Sequence, residues 1–330
     1  MPKRPAPLPE PLGSVFSAGR ARETGATRAA LRGEGVERPF HGVCRRIEQT
    51  AGPLPGGELH PAETWRGRQL HLAQTLAPFL PDGYFFCGRT AAVIWGVPVP
   101  AHPEDVVEVA CFSPRRALRM SGVRGSRVDA RLARVVRREG LPVTDVATTW
   151  CALAPCLPWR DGVALGDGAI RQVRIPGTRR LKRSPYATLD DLERAANAPY
   201  RRGRETLAAM LPVLSPHSAS APESHLRLML ADWGAPTPEL DFDVYDSGGR
   251  LLGCSEVAFP EFRVAHEYEG DHHRTDRRQW DRDVAKLRDY ANAGWDPIRV
   301  TAQLMYRDPQ RLRRQTFEAL ANRGWHPPSR

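Results

Sequence analysis

Glu256, Glu267, Glu269, His272 and His273 lie in one short stretch near the C-terminus, Cys254-Ser255-Glu256-Val257-Ala258-Phe259-Pro260-Glu261-Phe262-Arg263-Val264-Ala265-His266-Glu267-Tyr268-Glu269-Gly270-Asp271-His272-His273. Carboxylates beside imidazoles suit phosphodiester hydrolysis with a hard divalent cation. Mg²⁺ (or Mn²⁺) prefers carboxylate oxygen, keeps several waters, and takes one or two protein carboxylates. Such an ion activates a water and stabilises charge building on the phosphate. A nearby His moves the proton. By residue type alone a second reading stays open, an exposed acidic hairpin edge.

For these groups to meet, the stretch must form two strands. Pro260 fixes φ and removes a donor, so the turn falls at Phe259-Pro260-Glu261. The second strand then runs from about Arg263 to Glu269. Alternation puts Ala265, Glu267 and Glu269 on one face, and Val264, His266 and Tyr268 on the other. Glu256, on the preceding strand, supplies a third oxygen ligand.

Upstream, Ser220-Ala221-Pro222-Glu223 has capping-box spacing before a stripe of Leu226, Leu230 and Trp233. Glu223 therefore holds a helix start, supports the site, or does both. Leu240–Tyr245 and Arg250–Ala258 read as a hairpin around Asp246-Ser247-Gly248-Gly249. Trp280, Val284, Leu287 and Ala291 stripe a helix that stops at Gly294. Asp276, Asp281 and Asp283, near its start, read as dipole partners. A strand at Ile298–Thr301 and a helix over Pro309–Ala321 follow.

The motifs Pro222-Glu223-Ser224-His225-Leu226-Arg227, Glu256-Val257-Ala258-Phe259-Pro260-Glu261, Glu267-Tyr268-Glu269-Gly270-Asp271-His272-His273 and Gly294-Trp295 resemble the Vsr-like branch of the PD-(D/E)XK nuclease superfamily. The resemblance covers about the last third of the chain. It implies a restriction-endonuclease-like mixed sheet flanked by helices. It implies metal ligation by Glu256 and Glu267, with Glu269 positioning the ion or its water. It makes Glu223 the acidic residue of the first core helix, and His272 or His273 the general base or leaving-group stabiliser. Asp is the family's usual residue where Glu256 and Glu269 stand, so each carboxylate here reaches about one bond length further, enough to alter rate.

At the other end, Ser17 reads as the cap of a first helix ending near Gly25, and Thr27 as the cap of a second over Arg28–Arg32. Val36 to Arg45 then reads as a hairpin. This is the outline of a winged helix-turn-helix, and Thr27, Arg28, Arg32 and Arg45 are its candidate DNA contacts. A winged module used only for protein contact is the other reading. With Gly42-Val43-Cys44-Arg45, this region resembles the N-terminal domain of AbiEi-type antitoxins. Gly88-Arg89-Thr90-Ala91-Ala92 and Val143-Thr144-Asp145-Val146-Ala147-Thr148-Thr149-Trp150 extend that resemblance into the middle. Between them Arg115, Arg116, Arg119, Arg124, Arg127, Arg131, Arg134, Arg137 and Arg138 cluster. They either track a nucleic-acid backbone or form a solvated face. Arg134–Arg137 alternates like an exposed strand, and Val143–Leu157 reads as helix.

The 330 residues suffice for two or three domains. The expected fold class is multi-domain α/β. Its expected parts are a winged helix-turn-helix (1–50), an AbiEi-like α+β middle domain (58–214) and a Vsr-like nuclease domain (215–330). Lys and Arg exceed Asp and Glu by 48 to 38, a net charge of +10, which favours a polyanion such as DNA as partner. The six cysteines have no zinc spacing and read as reduced, mostly buried thiols of a cytoplasmic protein. No apolar leader or membrane-length run occurs, and no organic cofactor is expected. The leading expectation is a metal-dependent DNA endonuclease acting in repair or defence. The alternative is a non-catalytic, antitoxin-like transcriptional regulator that keeps the nuclease fold for shape.

Overall fold

The computed structural model describes residues 8–9, 12–47, 61–270 and 277–327. His272, His273 and Asp276, and the side chains of Trp280, Asp281 and Asp283, lie outside the described residues. The chain divides into two compact units, 1–96 with 100–149, and 97–99 with 150–330.

In the first unit, β1 (Val15–Ser17), α1 (Ala18–Glu23), α2 (Arg28–Leu31), β2 (Val36–Phe40) and β3 (Val43–Arg46) come first. Ser17 caps α1 by accepting from the Arg20 amide, and Thr27 caps α2 by accepting from that of Ala30, each at 3.1 Å. The strands form a three-stranded antiparallel sheet ordered β1-β3-β2. Phe16, Ala21, Leu31 and Val36 close a small core beneath it.

Next come α3 (Pro61–Leu76), β4 (Tyr84–Phe86), α4 (Gly88–Trp95), β5 (Val107–Phe112), β6 (Val123–Val128), β7 (Val135–Arg138) and β8 (Leu141–Thr144). The strands make a five-stranded mixed sheet ordered β6-β5-β4-β8-β7. Leu76, Phe86, Ile94, Val109 and Val143 pack its core. Strand β8 differs from the helix expected over Val143–Leu157. Val143 is fully buried between β4 and β7, and β-branched residues suit that pleated interior. The helix, α5 (Val146–Leu153), starts only where the Asp145 carboxylate accepts from the Thr148 amide at 2.8 Å.

The second unit opens with α6 (Trp159–Ile170), β9 (Val173–Arg174), β10 (Leu181–Arg183), α7 (Leu189–Ala196) and α8 (Arg204–Met210). Strands β9 and β10 pair as a small antiparallel hairpin. Then follow α9 (Ala221–Asp232), β11 (Glu239–Tyr245), β12 (Leu251–Phe259), β13 (Val264–Glu269), α10 (Arg277–Asn292), β14 (Asp296–Thr301), α11 (Ala302–Tyr306) and α12 (Pro309–Asn322). Strands β11 to β14 lie in sequence order, the first three antiparallel and β14 parallel to β13. One face buries Val257, Phe259, Val264 and Val300 against α9, α11 and α12. The other packs Val244 and Ala265 against Tyr290 of α10. Tyr290, fully buried, holds the place expected of Ala291, which is exposed.

Residues 150–214 belong by contact to this second unit. Helix α6 packs on α9, and Asp167 of α6, 1% exposed, accepts from the Ser224 hydroxyl (2.7 Å), the Arg227 guanidinium (2.9 Å) and the Ser215 amide (2.7 Å). None of the six cysteines forms a disulfide. Three are buried, Cys87 and Cys254 are half-buried, and Cys156 is exposed.

His266 of β13 is fully buried, with Nε2 2.8 Å from the Thr316 hydroxyl. Burial lowers its pKa from 6.5 to about 3. The unfolded chain therefore takes up a proton below pH 6.5 that the native state refuses. Stability is retained above pH 6.5 and falls towards pH 3, by about 1.4 kcal/mol per pH unit. The difference between the melting curves of the parent and His266→Met isolates this loss: between pH 7 and pH 5 the variant should gain stability relative to the parent as pH falls.

Candidate active site

Helix α9 begins with Ser220 as N-cap. The Glu223 carboxylate folds back on that start. It accepts from the Ala219 amide at 2.6 Å and the Ser220 hydroxyl at 3.0 Å. It is only 6% exposed, and burial, the largest effect, raises its pKa. The carboxylate thus holds the start of the helix, although it takes the Ala219 amide and not the Ser220 amide that a capping box would use.

Glu256 projects from the middle of β12. Pairing between β12 and β13 runs Phe259↔Val264, Ala258↔Ala265, Val257↔His266. Beyond that point the Glu256 carboxylate accepts from the Tyr268 amide at 2.8 Å. Glu223 and Glu256 both line a cavity of about 140 Å³, with Arg171, Arg174, His217 and Asp241 also on its wall. Glu256 keeps contact with solvent, but protein surrounds its carboxyl. Burial raises its pKa to about 8, helped by repulsion from Glu223 and Glu267 and opposed by the Tyr268 amide and Lys286.

Glu267 reaches the same neighbourhood from β13. One of its oxygens takes the Lys286 ammonium of α10 at 2.6 Å, and Lys286 also donates to the Cys254 carbonyl at 2.7 Å. Glu269 differs. Arg299 of β14 grips both its oxygens, at 2.6 and 2.7 Å. The fold thus brings Glu223 and Glu267 each within electrostatic reach of Glu256, while Glu269 is engaged by an arginine. His272 and His273 lie outside the described residues.

Several polar groups at the cavity carry no strong local signal in the sequence. Arg174 of β9 ion-pairs with Asp241 at 3.1 Å and with Asp243, and also donates to the Asp241 carbonyl. The Cys254 thiol donates to the Asp241 carboxylate at 2.9 Å. Asp241 sits at φ 52° inside a strand, a left-handed conformation costing about 1–3 kcal/mol in a non-glycine residue. Asp241 and Asp243 share a strand face at a spacing of two, the only hint the sequence offers. Arg174 is distant in sequence and gives none.

Among the described residues no group of three His, Cys, Asp or Glu side chains is arranged to hold a metal ion. The arrangement therefore does not match an all-protein cage. It fits a water-rich hard cation held by one or two carboxylates. Glu256 and Glu223 on the cavity wall would hold it, because a cation would offset the burial and the carboxylate repulsion that raise Glu256. Glu267, expected as second ligand, already faces the Lys286 ammonium.

In the first unit, Thr27, Arg28 and Arg32 are exposed on or beside α2. That helix has four residues, and the Thr27 hydroxyl is occupied as its cap. Arg45 is turned inward and donates to the Thr75 hydroxyl of α3 at 2.8 Å. No described helix is long and apolar enough to cross a membrane.

Fold and site together define a mixed α/β chain in two units, with Glu256 and Glu267 carried by the two central strands of a four-stranded sheet. Two uncharacterized proteins of Mycobacterium tuberculosis, from strains CDC 1551 / Oshkosh and ATCC 25618 / H37Rv, are similar to this chain. Each is 28% identical over 228 residues, covering 68% of this chain and 77% of its own length. No family model and no solved structure matches the chain.

Proposed function

We propose that the second unit is a metal-dependent endodeoxyribonuclease resembling the Vsr-like nucleases. The observation that carries this reading is the convergence of Glu223 and Glu256 on one cavity, where burial and, after it, repulsion from neighbouring carboxylates raise Glu256. The α9-β11-β12-β13-α10-β14 order, with β13 and β14 parallel, agrees with the expected mixed sheet flanked by helices. A bound Mg²⁺ or Mn²⁺ would supply Lewis acidity and an activated water. Glu256 and Glu223 would hold it, and Lys286, fixed by Glu267, would place positive charge where a phosphate gains negative charge. DNA is the proposed substrate, with nicking of damaged, mismatched or foreign DNA as the setting.

The second reading is a non-catalytic, DNA-binding regulator. The two-pronged Arg299–Glu269 pair favours it, because a cation is already bound where the resemblance implies a site residue.

Incubating the full chain with supercoiled plasmid and mismatch-bearing duplexes, with Mn²⁺ or EDTA, separates the two. The nuclease reading expects nicking that needs metal and is lost in Glu267→Ala. Absence of metal-dependent nicking on every substrate, with Glu267→Ala behaving like the parent, leaves the regulator.

A further inference from the structure

The loop joining β5 to β6 in the first unit borders a concave groove of about 590 Å³, lined by Tyr84, Arg116, Ala117, Leu118, Arg119 and Arg127. Arg116, Arg119 and Arg127 are exposed, and so is Arg115, whose guanidinium lies 5.5 Å from the centre of the Tyr84 ring. Among the described residues no carboxylate lines the groove. Among the described residues none of these four arginines forms an ion pair, whereas neighbouring Arg124 is neutralised by Glu104 and Glu108, and Arg131 by Asp129. Clustered like charges without partners repel, and bound anions remove that repulsion.

The groove's backbone is held in advance. The Tyr84 hydroxyl donates to the Arg116 carbonyl at 2.8 Å. The Cys111 thiol points at the carbonyls of Arg115 and Arg116, at 3.5 and 3.3 Å. Strand β6 presents Arg127 beside Cys111 in the parallel register of β5. Gly125 of β6 lets the loop lie on the strand, since a methyl group there would overlap the Leu118 backbone. A groove walled by guanidinium groups on a fixed backbone suits phosphates, which guanidinium binds in two-pronged fashion. The aromatic ring on its wall adds a surface for an unpaired base.

We propose that this groove binds the phosphate backbone of a single-stranded nucleic acid, with one base against Tyr84. A duplex has its bases already stacked inside a wide cylinder and meets only the rim. This proposal does not rest on the nuclease reading, since the groove would bind a strand even if the second unit cleaved nothing.

The test is fluorescence anisotropy of the full chain with labelled single-stranded DNA, the same sequence as RNA, and a blunt duplex, across a salt series in EDTA. The variants are R116A/R119A/R127A and Tyr84→Leu. We expect single strands to bind tighter than the duplex, the RNA arm deciding which sugar is preferred. The triple variant should weaken single-strand binding on the order of a hundredfold at low salt. Each lost phosphate contact removes about 0.7 from the salt slope of a single strand, so its slope should be shallower by about 2. Tyr84→Leu should weaken binding about tenfold without changing the slope. Photocrosslinking of the unaltered chain to a single strand, with the crosslink mapped to the Tyr84 peptide, gives a readout that needs no variant. Unchanged affinity and slope in the triple variant, or duplex bound as tightly as single strand with no crosslink at Tyr84, overturns the proposal. Absence of metal-dependent plasmid nicking by the unaltered chain, with single-strand binding intact, counts against the nuclease reading alone.

Discussion

Glu256→Gln is expected to stabilise the protein at pH 8 and above while removing the metal-dependent cleavage proposed above. The Glu256 carboxyl has a pKa of about 8 in the fold against an ordinary 4.5. A carboxyl raised by folding adds stability that is fully present below pH 4.5. That stability is lost as pH climbs through about 8, because the unfolded chain releases the proton first. The loss is on the order of 3–5 kcal/mol across that window. A neutral amide of the same shape keeps an acceptor for the Tyr268 amide and carries no charge to repel Glu223 and Glu267. The substituted protein should therefore show little of the parent's decline in melting temperature from pH 5 to pH 9. A divalent cation should raise the parent's melting temperature at pH 8, by binding the ionised carboxylates, and should leave Glu256→Gln unmoved. Cleavage should fall on the order of 10²–10³-fold. A substituted protein that melts along the parent's pH curve would remove the carboxylate-crowding argument, whatever its activity.

Asp167→Ala should be the most damaging single change to stability, costing about 3–5 kcal/mol. Asp167 is 1% exposed. Burial pushes its carboxyl up, against the pull of Arg227, the Ser215 amide and the Ser224 hydroxyl. Alanine would strand all three donors, among them a guanidinium that is itself 16% exposed. A buried charge left unpaired costs more than the pair contributes. Because Ser224 and Arg227 belong to α9, the damage should reach the helix that carries Glu223. Urea unfolding of the parent, Asp167→Ala and Asp167→Asn measures it. Asparagine should recover part of the loss by still accepting from Ser224. An alanine variant within about 1 kcal/mol of the parent would mean that the cluster contributes nothing net to the fold.

The periodic parts of the chain were legible before any coordinates. Ser17, Thr27 and Ser220 cap helices where their positions suggest, because an N-cap bond spans three residues and needs nothing distant. Alternation along β13 correctly separates His266, buried against Thr316, from Glu267, turned towards Lys286. Strand β8 was hidden, because Leu141–Thr144 is short and runs straight into helix-forming residues. The stripe of α10 was misplaced by one residue, since either Tyr290 or Ala291 satisfies helical spacing.

Spacing alone established which acidic residues share a strand face and which helices and hairpins carry them, since those patterns repeat over a few residues. Which cation each carboxylate meets was decided only in three dimensions. Arg174 reaches Asp241 and Asp243 from a separate hairpin, Lys286 reaches Glu267 from α10, and Arg299 takes Glu269 from the neighbouring parallel strand. Ion pairs act over a few ångströms of space, and strand register and helix packing set those distances, independently of separation along the chain.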